Sequence, residues 1–183
     1  MPPVRFSGHI NEWKNFKVSE ITEIYDNLRI PIAASEREYG KTPYYGANGI
    51  QDYVNGYTHD GEFVLIAEDG ANDLINYPVN YVRGKIWVNN HAHVLSGRSN
   101  VLNNSFLAVR IKAMNISKFL VGGGRAKLNG NILKDISLQI PSIDEQTKIG
   151  NFFKQLDESI ELQEKKVERL KQVKKSFLQK MFV

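Results

Sequence analysis

The chain of 183 residues contains no cysteine, which excludes disulfide scaffolds, thiolate zinc ribbons, Fe–S clusters and cysteine nucleophiles together. It has no apolar run approaching 18 residues, so no membrane-spanning helix is expected. Its opening stretch, Met1 to Lys17, holds two prolines, Arg5, Glu12 and Lys14 and lacks the apolar core of a signal peptide. A reducing cytoplasm is compatible with all of this, and a cytoplasmic location is expected. Neither sign of charge dominates: 24 basic and 20 acidic residues leave a net charge of +4, which permits a polyanionic partner without requiring one. Apolar residues at 42% and charged residues at 24% form an ordinary globular mixture, which excludes a wholly disordered or a collagen-like chain.

Glycine and proline are unevenly spread. All 14 glycines except Gly150 precede Pro141, as do all 8 tyrosines and both tryptophans, and no proline follows it. The composition therefore divides the chain into a loop-rich domain over residues 1–141 and a helical segment over 142–183. In the domain, Ile21, Ile24, Tyr25 and Leu28 have the spacing of a short helix, with Ser19 as a cap and Pro31 beyond its end. Phe63–Ala67, Lys85–Val88, Ser105–Ile111 and Ile136–Ile140 read as strands, while Asn89–Val101 and Gly122–Gly130 read as loops. The expected fold class is α+β.

Ser142-Ile-Asp-Glu145 fits a capping box. Beyond it a seam recurs at steps of four and three: Ile149, Phe153, Leu156, Ile160, Gln163, Val167, Leu170, Lys174, Phe177 and Met181. A helix of roughly 40 residues would be about 60 Å long, whereas a domain of this size has a radius of gyration of about 14 Å. Much of the seam should extend past the domain, and a second copy of the chain is the simplest cover. From Lys165 onward seven basic residues oppose Glu168 alone, the pattern of a solvated face or of one that meets a partner.

Catalytic and metal-binding constellations do not assemble. His91-Ala-His93 could present two imidazoles with His59, Asp60 or Asp69 nearby, but hydrogen bonding in a loop explains them more simply, and no metal is expected. Gly122-Gly-Gly124 lacks the spacing of a dinucleotide loop and a following Lys-Ser/Thr. No nucleophile elbow or His-Glu-x-x-His motif occurs, the acidic residues Asp60, Glu62, Glu68, Asp69 and Asp73 lack a nearby nuclease-like Asp/Glu-x-Lys, and there is no methyltransferase Asn/Asp-Pro-Pro-Tyr strand. What remains is a polar aromatic surface: Lys41, Tyr44, Tyr45, Asn48, Arg83, Asn90, Arg98, Arg125 and Lys127 fall on expected loops or loop edges. Amides and guanidinium groups on loops suit base edges, and lysines suit phosphates. A coiled-coil interaction scaffold without DNA binding is the alternative.

Several stretches together resemble the specificity subunit of type I restriction-modification enzymes. They are the opening Pro3-Val-Arg-Phe6 with Trp13, Pro43–Ile50, Asp60–Ala71, Trp87–Leu95, and the junction from Leu128 through Pro141-Ser-Ile-Asp-Glu-Gln146 and Phe152-Phe153 to Leu156-Asp157. The resemblance implies a mixed α/β target recognition domain that meets DNA through loops, joined to a conserved spacer helix that forms a coiled coil and docks other subunits. A complete specificity subunit holds two such domains and two antiparallel helices; this chain holds one of each. It is therefore expected to act as a half subunit, natural or truncated, and to homodimerise through the helix. The resemblance further implies a non-catalytic chain with no cofactor of its own. S-adenosylmethionine, ATP and Mg2+ would belong to modification and restriction partner subunits.

Overall fold

The computed structural model describes residues 2, 4–123 and 126–182. Among the described residues eight strands and four α-helices follow in order: β1 (Lys14–Lys17), α1 (Val18–Ile21), β2 (Thr22–Ile24), β3 (Tyr39–Gly46), β4 (Gly49–Val54), β5 (His59–Ala67), β6 (Val79–Val88), β7 (Ala92–Gly97), α2 (Asn104–Lys112), α3 (Gly130–Asp135), β8 (Ser137–Ile140) and α4 (Ile143–Met181). A six-stranded sheet has the order β2-β7-β5-β6-β3-β4, and β1 pairs with β8 in a separate two-stranded sheet. The class is α+β, with a long C-terminal helix.

Strand β5 explains why Phe63–Ala67 is apolar without alternation. Val64 and Ile66 enter one buried cluster with Ile21, Leu95, Phe106 and Leu107, while Phe63 and Leu65 enter a second with Val82, Ile86 and Val94. A strand covered on both faces needs no polar side. The β5–β6 ribbon is also bent. Extended, His59 to Ala67 would measure about 27 Å. Yet the chain passes from Val88, whose N–H meets Thr58 Oγ1, to Ala92, the partner of Ala67, over residues 89–91. That link reaches at most about 14 Å, and with about 5 Å of cross-strand spacing at each end it still falls short of the roughly 30 Å that separate Thr58 and Ala67 in an extended strand. Gly61 and Gly84 are partners across the ribbon and both take positive φ, 152° and 83°, a conformation that L side chains resist. These paired glycines form the bend.

Four local expectations are corrected. The helix expected around Ile21–Leu28 is one turn, α1, followed by strand β2 and a 3-10 turn at Asp26–Leu28. Thr22 donates its hydroxyl back to Val18 O, and Ile24 is drawn into pairing with Leu95; Ser19 does not start the helix, since Lys17 is the cap, its N–H bonded to Glu20. Ser105–Ile111 lies in α2 and not in a strand. Asn103 caps it by accepting from Phe106 N, and Phe106, Leu107 and Ile111 bury at helical spacing. The stretch read as a loop over Asn89–Val101 contains β7, a central strand. The segment around Lys41–Gly49 is likewise a hairpin, β3 turning into β4 through Ala47-Asn48.

Helix α4 begins at Ile143, as the sequence suggests, but Glu145 turns its carboxylate to Arg5, which donates from Nε at 2.9 Å and Nη2 at 2.6 Å. Gln146 is buried and donates to the Val101 and Pro141 carbonyls while accepting from Asn103 N. Gly150 brings α4 against the start of α2, where a Cβ would stand 2.1 Å from Ser105 Oγ. By contacts the chain divides into Met1–Gly150 and Asn151–Val183, so the first two turns of α4 belong with the domain.

Candidate nucleic-acid interface

The nine residues read as DNA-facing separate once placed on the fold. Lys41 is exposed on β3. Tyr44 is 1% exposed, its ring under the Arg37 guanidinium at 4.2 Å and its hydroxyl bonded by Ile32 N. It is a core residue whose ring is covered, which removes it from the groups that could stack on a base. Tyr45 is half-buried against the second apolar cluster, and burial pushes its phenol up. Tyr45 O accepts from Asn89 N at 3.0 Å, which brings the Asn89-Asn90 corner beside the β3–β4 hairpin. Asn90 and Arg98 are exposed.

Asn48, in the hairpin turn, clasps the next loop: its Nδ2 donates to Gly70 O at 2.9 Å and its Oδ1 accepts from Asn72 N at 2.9 Å. Arg83 pairs with Glu62 at 2.8 Å, but both are well exposed, so the pair holds the guanidinium weakly. Lys127 donates to Glu68 at 2.8 Å, which holds its ammonium above the usual lysine value. Arg125 and the neighbouring Gly124 lie outside the described residues. Among the described residues no hydrogen bond or ion pair joins one of the nine to another.

Three further groups lie outside the nine. Lys85 Nζ sits 4.5 Å over the Tyr57 ring, a cation-π pair on the bent ribbon. Arg110 on α2 is half-buried, its Nε without a partner among the described residues, and burial lowers its pKa. The third is a polar cleft beside Asn48 lined by Asn72, Asn76, Asn80 and Lys112.

His91 and His93 do not converge on a shared point. His91 Nδ1 bonds Asp69, while His93 is buried and faces Asp26 and Leu128 O. Ligand atoms of Asp26, Glu68 and His93 do lie within 4.8 Å of one another. Arg29 and Lys127 already neutralise Glu68 at 2.7 and 2.8 Å, so this is a charge-balanced cluster that ties the loop after Val121 to β5 and β7.

On α4 every residue from Asn151 to Met181 is exposed. Of the seam, Ile149 packs partly on the domain core, whereas Phe153, Leu156, Ile160, Val167, Leu170, Phe177 and Met181 are each more than 40% exposed. Leu156, Ile160, Gln163 and Val167 line a shallow apolar concavity along this face.

A domain of this topology joined to such a helix has counterparts among known proteins. Residues 10–172 match the family described as the type I restriction modification DNA specificity domain. The chain belongs to that family. A type I restriction enzyme specificity subunit of Haemophilus influenzae is 50% identical over 138 residues, 75% of this chain and 35% of that protein. A type I specificity subunit of Mycoplasma pneumoniae is 29% identical over 165 residues, 87% of this chain and 44% of that protein. The EcoprrI specificity subunit of Escherichia coli is 30% identical over 115 residues, 63% of this chain and 28% of that protein. This specificity-family chain thus spans less than half the length of these curated relatives. The crystal structure of the type I S subunit from M. genitalium shares its fold, with a TM-score of 0.71 over 88% of this chain and 43% of that one at 19% identity.

Proposed function

We propose that this chain reads one half of a bipartite DNA target for a type I restriction-modification complex. The observation that carries the reading is that the family match runs through both the domain and most of α4. The exposed amides, guanidinium groups and lysines of the domain supply base-edge and phosphate chemistry, with Lys41, Asn48, Arg83, Asn90, Arg98 and Lys127 retained as candidate contacts and Tyr45 as a partly covered stacking group.

Two copies would pair through the seam of α4, antiparallel, restoring two recognition domains and fixing the gap between half-sites. An apolar stripe left in water is unfavourable, and a self-complementary partner covers it with closed symmetry. In this reading the chain carries no catalytic residue and no cofactor. Methyl transfer from S-adenosylmethionine to adenine, and cleavage driven by ATP with Mg2+, fall to modification and restriction subunits that dock on the helix and the adjoining domain surface in the cytoplasm. Mapping methylated sites in cells carrying the partner subunits with and without this chain tests the reading. A split motif should be methylated only when the chain is present, and methylation that is indifferent to it contradicts the proposal.

A further inference from the structure

The cleft beside Asn48 was not singled out by any motif. It has a volume of about 490 Å³ and is bounded by the hairpin turn of Asn48, the loop 70–78, the start of β6 and the end of α2, within the range of roughly 300–1,000 Å³ typical of ligand sites. Its floor is closed by Tyr77, whose hydroxyl donates to Ala67 O at 2.9 Å. Burial, with Asp69 and Glu68 nearby, pushes that phenol up to about 12, so it stays a neutral donor.

The loop over this floor is held at both ends. Asn48 fixes Gly70 and Asn72, as described. Asp73 closes the other side: its Oδ1 accepts from Ile75 N and Asn76 N at 2.8 Å each, and its Oδ2 accepts from Asn76 Nδ2 at 3.0 Å. These bonds hold the Asp73 carboxyl below its ordinary value, so its charge is engaged within the loop. The tip between these clasps is Leu74-Ile75, with Ile75 88% exposed. The side-chain amides of Asn72 and Asn80 and the Lys112 ammonium have no bonding partner among the described residues, although all three line the cleft.

A rigid loop that presents unused amides, an exposed branched apolar tip and a nearby cation matches one ligand chemistry closely. An asparagine amide pairs bidentately with adenine N6 and N7, an apolar side chain meets the thymine methyl, and a lysine neutralises phosphate. We infer that this cleft, with the exposed loop tip beside it, reads an A·T base pair within the half-site: Asn72 and Asn80 in the cleft face adenine, Ile75 at the tip meets the thymine methyl and Lys112 the backbone. The inference rests on the DNA-reading function proposed above. Preorganisation is what the Asn48 and Asp73 clasps contribute, because a loop already ordered loses little freedom on binding.

The test is a methylation map of the full system carrying the wild-type chain, Asn72→Ala alone, Asn72→Ala with Asn80→Ala, Ile75→Ala, or Lys112→Ala. The wild type should give a motif with a fixed A·T pair at one position. The double variant should lose discrimination there by roughly 5- to 150-fold, the amount carried by one good bidentate contact, and Ile75→Ala should relax the same position. Lys112→Ala should keep the motif while its purified complex loses about one unit of salt slope on target duplex. Ile75 and Asn72 are exposed, so their variants remain folded readers if the double variant is damaged. A strict, unchanged motif in the Asn72 and Ile75 variants overturns the cleft but leaves DNA reading intact. No motif with the wild-type chain overturns both.

Discussion

His93 holds Asp26 and Leu128 at once: its Nδ1 lies 2.6 Å from Asp26 Oδ2 and its Nε2 2.8 Å from the Leu128 carbonyl oxygen. Both ring nitrogens thus face oxygen acceptors from segments far apart in the chain. Asp26 Oδ1 also accepts from Val94 N at 2.8 Å, which locks the turn after β2 onto β7. Removing one member of such a buried set strands the others without partners. Asp26→Ala should therefore destabilise the domain by about 3 kcal/mol, read as a shift in the urea midpoint. A change below about 0.5 kcal/mol would show that the cluster is not structural.

Glu68 makes the same cluster sensitive to acid. Burial raises its carboxyl, but the bonds from Lys127 and Arg29 outweigh this, with the nearby His93 adding to them, and hold it below the ordinary glutamate value. A carboxyl depressed on folding contributes stability at every pH above its unfolded value, about 4.3, and loses it as pH falls through the folded value. Urea unfolding from about pH 7 down to about pH 3 should show the wild type losing more stability than Glu68→Gln below about pH 4. Parallel losses in the two proteins would contradict this.

Gly150 is required by close approach. A Cβ there would stand 2.1 Å from Ser105 Oγ and 2.9 Å from Phe106 N. Alanine ordinarily improves a helix interior by about 1 kcal/mol over glycine, yet Gly150→Ala should destabilise the domain by about 1–3 kcal/mol through overpacking. A raised thermal midpoint in the variant would mean that α2 and α4 are not this close.

The seam of α4 makes a separate prediction. Leu170 is 59% exposed in the single chain, and in a paired helix it would be covered. Leu170→Asp would place an unpaired carboxylate in that contact and should shift a dimer to monomer at tens of micromolar, the order at which sedimentation resolves such pairing. The thermal midpoint of the domain should be the same in this variant as in the wild-type chain. A wild-type chain that sediments as a monomer under these conditions would rule out self-pairing through α4.

How far the sequence revealed all this depends on the range of the interactions. The start and period of α4 were legible because the cap region and seam lie within a few residues of one another. Strand β5 was legible because burial on both faces leaves an uninterrupted apolar run. Strand β7 was hidden because His93 interrupts its apolar pattern, and the partners that let His93 be buried come from residues 26 and 128. Helix α2 was mistaken for a strand because Val109 and Ile111 favour strands intrinsically, while its actual signal, the Asn103 cap, is a single residue. Tyr44 looked like a surface phenol since nothing adjacent shows that Arg37 covers it. The polar cleft joins three separate stretches of chain, around residues 48, 72–80 and 112, so no local pattern could indicate it.

Tyr44 and Arg98 provide a matched contrast between core and surface. Tyr44→Phe removes the hydroxyl that Ile32 N bonds and should cost about 1 kcal/mol of stability with no change in the methylated motif. Arg98→Ala, at an exposed position, should leave stability unchanged and either relax one base position or reduce the salt slope by about one. The opposite assignment of effects would show that the hairpin face around Tyr44, and not the turn after β7, meets DNA.

The most direct test of the proposed function is the base-resolution methylation map of the partner subunits assembled with the wild-type chain. Two identical recognition domains related by a two-fold axis should produce a palindromic motif split by a fixed unspecified gap, and lengthening α4 by two heptads should change that gap while leaving both half-sites as they were. A continuous or asymmetric motif, or a gap unaffected by the longer helix, would contradict it.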